Sequence, residues 1–263
     1  MPKTRLDALL VERGLFESRS RAAAAILAGT VRLGDDGRRA EKPGQMVAAE
    51  VALEVDPPPP FVSRGGVKLA NALDRLGVDP DGRRCLDVGA STGGFTDCLL
   101  KRGASHVVAL DVGYGELDYG LRGDARVTVI ERTNARGIEP KILPYRPDLV
   151  VVDVSFISLL KVLPAILASA GESFDCLALV KPQFEVGKER VGKGGVVREA
   201  ADRREVLVEV ARAMSAEGWP VLGFASSELP GPAGNRETFV WLAEAGRDGA
   251  LADLEAAVAE VEP

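Results

Sequence analysis

The sequence predicts an α/β protein: a doubly wound sheet of seven strands, the last antiparallel, behind a small α+β unit. Three observations predict it. A run of prolines at 57–60 divides the chain. After it, seven short β-rich runs alternate with helix-compatible stretches, the signature of a layered α/β sheet. Before it, two short helical patterns precede turn-separated apolar alternations.

Taken in order, Leu6, Leu9, Leu10 and Leu15 suit a short helix ending at Gly14. Ser18 is placed to cap a second helix from Arg19 to Leu27, stopped by Gly29. Val31 to Leu33, a Gly34-Asp35-Asp36-Gly37 turn and the alternation from Val47 to Val55 predict short strands. Four prolines fix φ and remove donors, so 57–62 is expected to be a stiff linker between domains 1–56 and 63–263. A surface loop within one domain is the alternative. Strands are then expected at 84–88, 106–111, 126–130, 148–154, 176–180, 220–225 and 238–242, with helices at 95–102, 159–170 and 203–217. The close spacing of the last two strands predicts an antiparallel hairpin ending a mostly parallel sheet.

The 263 residues are 46% hydrophobic and 27% charged, enough to bury a core without disulfides or structural metals. Cys85, Cys98 and Cys176 are odd in number and form no CxxC, which fits a reducing compartment. The N-terminal stretch has no apolar core of signal-peptide length, and no run approaches the ~18 apolar residues of a membrane helix. The chain therefore reads as cytoplasmic, with no membrane partner, no metal and no oligomeric state assigned. A net charge of −6 argues against nucleic acid, but residues 1–45 carry nine basic against six acidic side chains. A local basic surface matters more than the average.

Arg5-Leu6-Asp7, Ser18-Arg19-Ser20-Arg21-Ala22 and Ile26 to Gly34 together resemble the S-four RNA-binding domain, over about residues 3–56. Arg19 and Arg21 open a helix, where free N–H groups and the helix dipole favour phosphate. Arg5, Arg13 and Arg32 extend that candidate patch; solvation of a helix face is the bland alternative.

Leu86-Asp87-Val88-Gly89-Ala90-Ser91-Thr92-Gly93-Gly94 follows one strand and opens a helix, so its backbone can approach a ligand closely. A dinucleotide pyrophosphate fits such an outline. Asp87, two residues before the first glycine, opposes that reading, because it would repel a pyrophosphate yet can pair with an ammonium. Asp111, ending the next strand, suits ribose hydroxyls. The layout resembles Rossmann-like methyltransferases. That resemblance implies S-adenosylmethionine as cofactor, with contacts at Asp87, Gly89, Ser91, Gly93, Gly94 and Asp111, joined by Asp153 and, near adenine, by Asn134.

The fourth strand ends Asp153-Val154-Ser155-Phe156 without the prolines of base N-methyltransferases, and no cysteine follows a proline as in cytosine carbon methyltransferases. His106, the single histidine, opens a strand and reads as structural. Lys68, Asp153, Lys181 and Glu237 remain. Parallel strands present their carboxyl ends along one edge, and an antiparallel last strand starts there, so these four are expected to converge. They resemble the tetrad of FtsJ-type ribose 2′-O-methyltransferases. With SRGGxKL, LDVGASTGGFTD, LVKPQFE and Gly234-Asn235-Arg236-Glu237, nearly the whole chain resembles the TlyA family.

That resemblance implies transfer of a methyl group to a cytidine 2′-hydroxyl of ribosomal RNA in ribosomal subunits. It makes Lys181 the base, Lys68 its partner, and Asp153 and Glu237 their holders. Two ammoniums ~4 Å apart repel by on the order of 4 kcal/mol at an effective dielectric of ~20, which eases loss of one proton. The residues alone leave the choice between the two lysines open. Arg64 and the glycine-rich basic stretch with Lys188, Arg190 and Lys193 are candidate RNA contacts: a mobile lid or a plain loop. A non-catalytic ribosome assembly factor and, from the family's haemolysin label, a membrane-active protein are the rival readings.

Overall fold

The computed structural model describes residues 3–57 and 59–263; Met1, Pro2 and Pro58, the last inside the expected linker, lie outside them. The chain divides into two units, Met1–Pro59 and Pro60–Pro263.

The first unit runs β1 (Lys3–Arg5), α1 (Leu6–Glu12), α2 (Arg19–Leu27), β2 (Val31–Leu33), β3 (Arg38–Arg39), β4 (Met46–Ala48) and β5 (Leu53–Val55). Ser18 caps α2 as expected, its Oγ accepting from the Arg21 N–H at 3.3 Å. Leu6, Leu9, Leu10, Ala22, Ile26, Val31 and Leu33 form its core. The sheets are small: β1 pairs with β4, and β2 lies between β3 and β5.

The second unit opens with α3 (Arg64–Leu76), β6 (Arg84–Val88), α4 (Gly94–Lys101), β7 (His106–Leu110), α5 (Tyr119–Arg122) and β8 (Val127–Ile130). It continues with β9 (Leu149–Val152), α6 (Leu163–Ala168), β10 (Asp175–Val180), α7 (Pro182–Glu185), α8 (Ala200–Ala216), β11 (Val221–Ser226), β12 (Thr238–Ala243) and α9 (Leu254–Val261). One sheet runs β11-β12-β10-β9-β6-β7-β8. Strand β12 inserts between β11 and β10 and is antiparallel to both. The rest of the sheet is parallel. Alternate side chains of the nearly all-apolar strands feed a core on each face, one under α6 and α8, the other under α3 and α4.

Several helical features depart from the sequence reading, among them the short α5 and α7. The expected helix over 159–170 is a 3₁₀ turn at Leu159–Lys161 followed by α6. Pro164 lacks the N–H that a continuous helix would use and suits a first turn instead. Helix α9 begins where Asp253 accepts from the Ala256 N–H at 2.9 Å. Helix α3, which carries Lys68, is not among the expected helices; it opens on Gly65-Gly66, a pair that local propensity disfavours in a helix. The pair serves packing. A Cβ on Gly66 would lie 2.4 Å from Phe61 and 2.8 Å from the Gly94 carbonyl, so two glycine-bearing helix starts can approach closely. Lys68, one turn further along α3, lines the same cavity as Gly94.

Candidate active site

Two adjoining cavities lie at the carboxyl edge of the sheet. One, of about 450 Å³, is lined by Gly89, Ser91, Leu110, Asp111, Asn134, Ala135, Asp153 and Ile157, among others. The other, of about 410 Å³, is lined by Ser63, Arg64, Lys68, Gly94, Asp153, Lys181 and Glu237, together with the glycine loop. Gly89, Ser91 and Asp153 belong to both, so the wall between the cavities is the loop after β6 and the residue after β9.

The second cavity gathers all four residues of the expected tetrad. Asp153 follows β9, Lys181 follows β10, Glu237 precedes β12, and Lys68 comes from the second turn of α3. They form two ion pairs. Lys68 Nζ donates to Glu237 Oε2, with the two residues 7% and 2% exposed, a pair almost wholly removed from water. Lys181 Nζ lies 2.6 Å from Asp153 Oδ1, off the hydrogen-bond axis, and donates to Ser155 Oγ at 2.9 Å. Ser155 was not singled out from sequence, although its place two residues past Asp153 sets it on the same edge.

The first cavity is built for a flat ligand with a polar tail. Gly89 has φ +86°, and a Cβ there would sit 2.4 Å from the Asp153 carbonyl oxygen, so the loop can cross the end of β9 only without a side chain. Asp111 accepts from the Ser91 N–H at 2.8 Å and the Gly113 N–H at 2.7 Å. Each of its oxygens retains a second lone pair for a ligand hydroxyl. Asn134 caps a 3₁₀ turn, accepting from the Arg136 N–H at 3.0 Å, while lining the cavity. Leu110, Ala135, Ile157 and Val162 supply apolar walls. Glu116, which accepts from Ser91 Oγ at 3.1 Å, is a lining residue the sequence did not mark.

Gly93 and Gly94 cap and open α4. Asp87 is fully buried and lines neither cavity. Its Oδ2 accepts from Thr96 Oγ1 at 2.7 Å, and its Oδ1 has no partner among the described residues. Burial pushes its pKa up to about 7, against the opposing hydrogen bond from Thr96. An acid whose folded pKa exceeds its unfolded value adds stability below about pH 4 and loses it as pH rises through about 7. Asp87→Asn is therefore expected to be more favourable, relative to wild type, at pH 8 than at pH 5. Chemical denaturation of the ligand-free protein at both pH values checks this; an unchanged difference would refute it.

These residues fit S-adenosylmethionine. A side-chain-free cradle at Gly89, an acidic Asp111 and the apolar walls beside Asn134 match a ligand with a diol and a purine, whereas Asp87, expected as a direct contact, sits behind the loop and reaches neither cavity.

The candidate RNA-binding arginines of the first unit have protein partners. Arg5 and Arg19 both pair with Asp7 at 2.9 Å, Arg21 with Glu17 at 2.8 Å, and Arg32 with Asp56 at 2.8 Å. Hydrogen bonding from Arg5 holds the Asp7 carboxyl well below the usual range. Arg13 donates to the Val51 and Ala49 carbonyls. The side chains of Arg5, Arg19 and Arg21 remain at least half exposed, so phosphate can still reach them. In the second unit Arg64 lines the tetrad cavity and donates to the Pro230 carbonyl. Arg190 pairs with Glu205 at 2.7 Å and Asp202 at 3.3 Å, while Lys188 and Lys193 stand in the same loop. His106 bonds Tyr145 Oη at 2.9 Å and faces Thr128 Oγ1 at 3.3 Å, away from both cavities.

Comparison with known proteins agrees with this geometry. The model of the FtsJ-like methyltransferase family matches residues 61–244, and that of the S4 domain matches residues 4–52. The chain is 53% identical over 242 residues to the 16S/23S rRNA (cytidine-2'-O)-methyltransferase TlyA of Mycobacterium tuberculosis, covering 91% of this chain and 90% of the relative. It is 39% identical to Hemolysin A of Brachyspira hyodysenteriae, over 89% of this chain and 97% of that one. A solved structure from Streptococcus thermophilus that also carries the hemolysin label superposes with a TM-score of 0.74 at 38% identity, over 99% of this chain and 96% of that chain. Among the described residues no helix is long and apolar enough to cross a membrane.

Proposed function

The chain belongs to the TlyA family of FtsJ-like methyltransferases, and on that premise we propose that it methylates a cytidine 2′-hydroxyl of ribosomal RNA, using S-adenosylmethionine. One observation carries the proposal: Lys68, Asp153, Lys181 and Glu237 line a single cavity that shares Gly89, Ser91 and Asp153 with the neighbouring ligand-sized cavity. A substrate hydroxyl in one cavity and a methyl donor in the other would meet across that wall.

Bound S-adenosylmethionine supplies an electrophilic sulfonium methyl. Asp111 and the Gly89–Gly94 loop would hold the cofactor, with Asn134 in the same cavity available to its base. A ribose hydroxyl is a weak nucleophile and must lose its proton as it attacks. Lys181 Nζ takes that proton, and Asp153 beside it stabilises the ammonium that forms. Ser155 Oγ fixes the direction of Nζ. Lys68, anchored by Glu237, presents a positive charge to the ribose oxygen. Arg64 at the cavity rim, with Lys188 and Lys193 of the second unit and the half-exposed arginines of the first, holds RNA by its backbone. Ribosomal RNA of the ribosomal subunits is the expected partner, and the cytoplasm the expected location.

The test is transfer of labelled methyl groups to separate small and large ribosomal subunits, followed by mapping of sites resistant to alkaline cleavage. A resistant cytidine supports the reading. Cofactor binding with no label in either subunit would favour a non-catalytic assembly factor instead.

A further inference from the structure

The tetrad cavity is tied to the basic loop over 187–198 by one buried amide. Asn235 is 1% exposed, and both ends of its side chain are used. Its Oδ1 accepts from the Val197 N–H at 2.9 Å, and its Nδ2 donates to the Gly195 carbonyl at 2.8 Å. Its own carbonyl accepts from the Gly231 N–H at 2.8 Å, closing the turn that contains Pro232, a wall residue of the cavity. A Cβ on Gly231 would lie 2.3 Å from Glu237 Oε1, so that turn is packed directly on the carboxylate holding Lys68. From the other side Arg203, itself gripped by Glu262 at 2.7 Å, donates to the Val197 and Arg198 carbonyls. The loop also folds on itself, Gly192 N–H to the Val196 carbonyl and Gly195 N–H to the Gly192 carbonyl.

The glycines of this segment let the backbone turn, while Asn235 fastens its carboxyl-terminal half. The part left outside the clasp carries Lys188 and Lys193.

We propose that Asn235 is a positioning residue for RNA: it locks the basic loop to the turn carrying Glu237, so that the loop cations grip phosphate in register with Lys68. This rests on the RNA-methylating function proposed above. An asparagine is suited to the task because only an amide offers one acceptor and one donor at this spacing without adding charge beside Glu237. Loss of the Val197 bond strands a buried backbone N–H, and loss of the Gly195 bond releases an exposed carbonyl, so either change loosens the loop.

Asn235→Asp keeps the acceptor for Val197 and loses the donor to Gly195; Asn235→Ala loses both. Two measurements decide. The first is trypsin cleavage of the native protein after Lys188, Arg190, Lys193 and Arg198, which needs no RNA. Cleavage there is expected to quicken about tenfold in Asn235→Ala, with other sites unchanged. The second is ribosomal subunit methylation. KM for the subunit is expected to rise about tenfold with kcat and cofactor affinity nearly constant, and the salt dependence of subunit binding to flatten by about one to two phosphate contacts. On a Lys188→Ala/Lys193→Ala background the same substitution should add little, because its effect passes through those cations. Uniform loss of kcat, KM and cofactor affinity, or full additivity, would mark Asn235 as merely structural and overturn the proposal. Should Asn235→Ala fail to fold, Asn235→Asp carries the same tests. A wild-type enzyme that labels no subunit defeats the proposed function, whereas a labelling enzyme indifferent to Asn235→Asp defeats only this inference.

Discussion

Lys181→Ala is expected to lower the turnover number for methyl transfer by about 10²–10⁴-fold, the range associated with loss of a positioned general base. Cofactor affinity should stay within about twofold, because Lys181 lines the tetrad cavity and not the neighbouring one. Two features support the proposal of Lys181 as the base. Lys181 is the tetrad lysine whose ammonium also reaches a neutral acceptor, Ser155 Oγ, and its 2.6 Å contact with Asp153 is off the hydrogen-bond axis. Lys68, by contrast, is committed to Glu237 in a nearly dry pair. Lys181→Arg sharpens the test. Guanidinium keeps the positive charge but does not lose its proton at working pH, so a base role predicts Lys181→Arg as inactive as Lys181→Ala. Single-turnover transfer with saturating cofactor measures both. Activity retained in Lys181→Arg would mean that charge alone suffices, and the base would have to be sought at Lys68.

Much of this site can be read from sequence because sheet topology turns strand ends into neighbours. Asp153 and Lys181 each follow an apolar run, and runs that apolar fit central strands buried on both faces. Glu237 is harder to place. It joins them because β12 is antiparallel, its Thr238 lying opposite Val180. That inversion could be inferred from the short span between β11 and β12, too brief for a helical crossover. Lys68 shows the opposite case: its motif was recognisable, yet α3 was missed. Two glycines at a helix start are read locally as breakers, and their purpose, room for Gly94, lies some 28 positions away.

Electrostatic pairing was less legible. Arg19 at a helix start and Arg5 beside it read locally as phosphate ligands, but both converge on Asp7, itself buried. Ion pairs between elements depend on tertiary approach that no local pattern encodes. The same holds for Asn235: its nearness to Glu237 is visible in sequence, whereas its hold on Gly195 and Val197 exists only once the loop has folded back.

Glu237→Ala is the substitution expected to harm both folding and catalysis. With 1% and 8% side-chain exposure, Glu237 and Lys68 have little water to share, so removal of the carboxylate leaves an uncompensated ammonium inside the protein. Breaking such a pair from one side destabilises by about 3–5 kcal/mol, whereas replacing both members with apolar groups of similar size is often neutral or favourable. Glu237→Leu combined with Lys68→Met should therefore recover most of the stability lost in Glu237→Ala and none of the activity. Denaturant midpoints and methyl transfer, measured on the wild type, the single variant and the double variant, separate the two roles. If the double variant is as unstable as the single one, the loss comes from packing around Glu237, not from the stranded charge. If it is both stable and active, Lys68 takes no part in the chemistry and the tetrad reduces to Asp153 and Lys181. The expected result, a stable but inactive double variant, would mean that the pair is kept at this depth for what Lys68 does to the ribose oxygen, since folding alone is served as well by two apolar side chains.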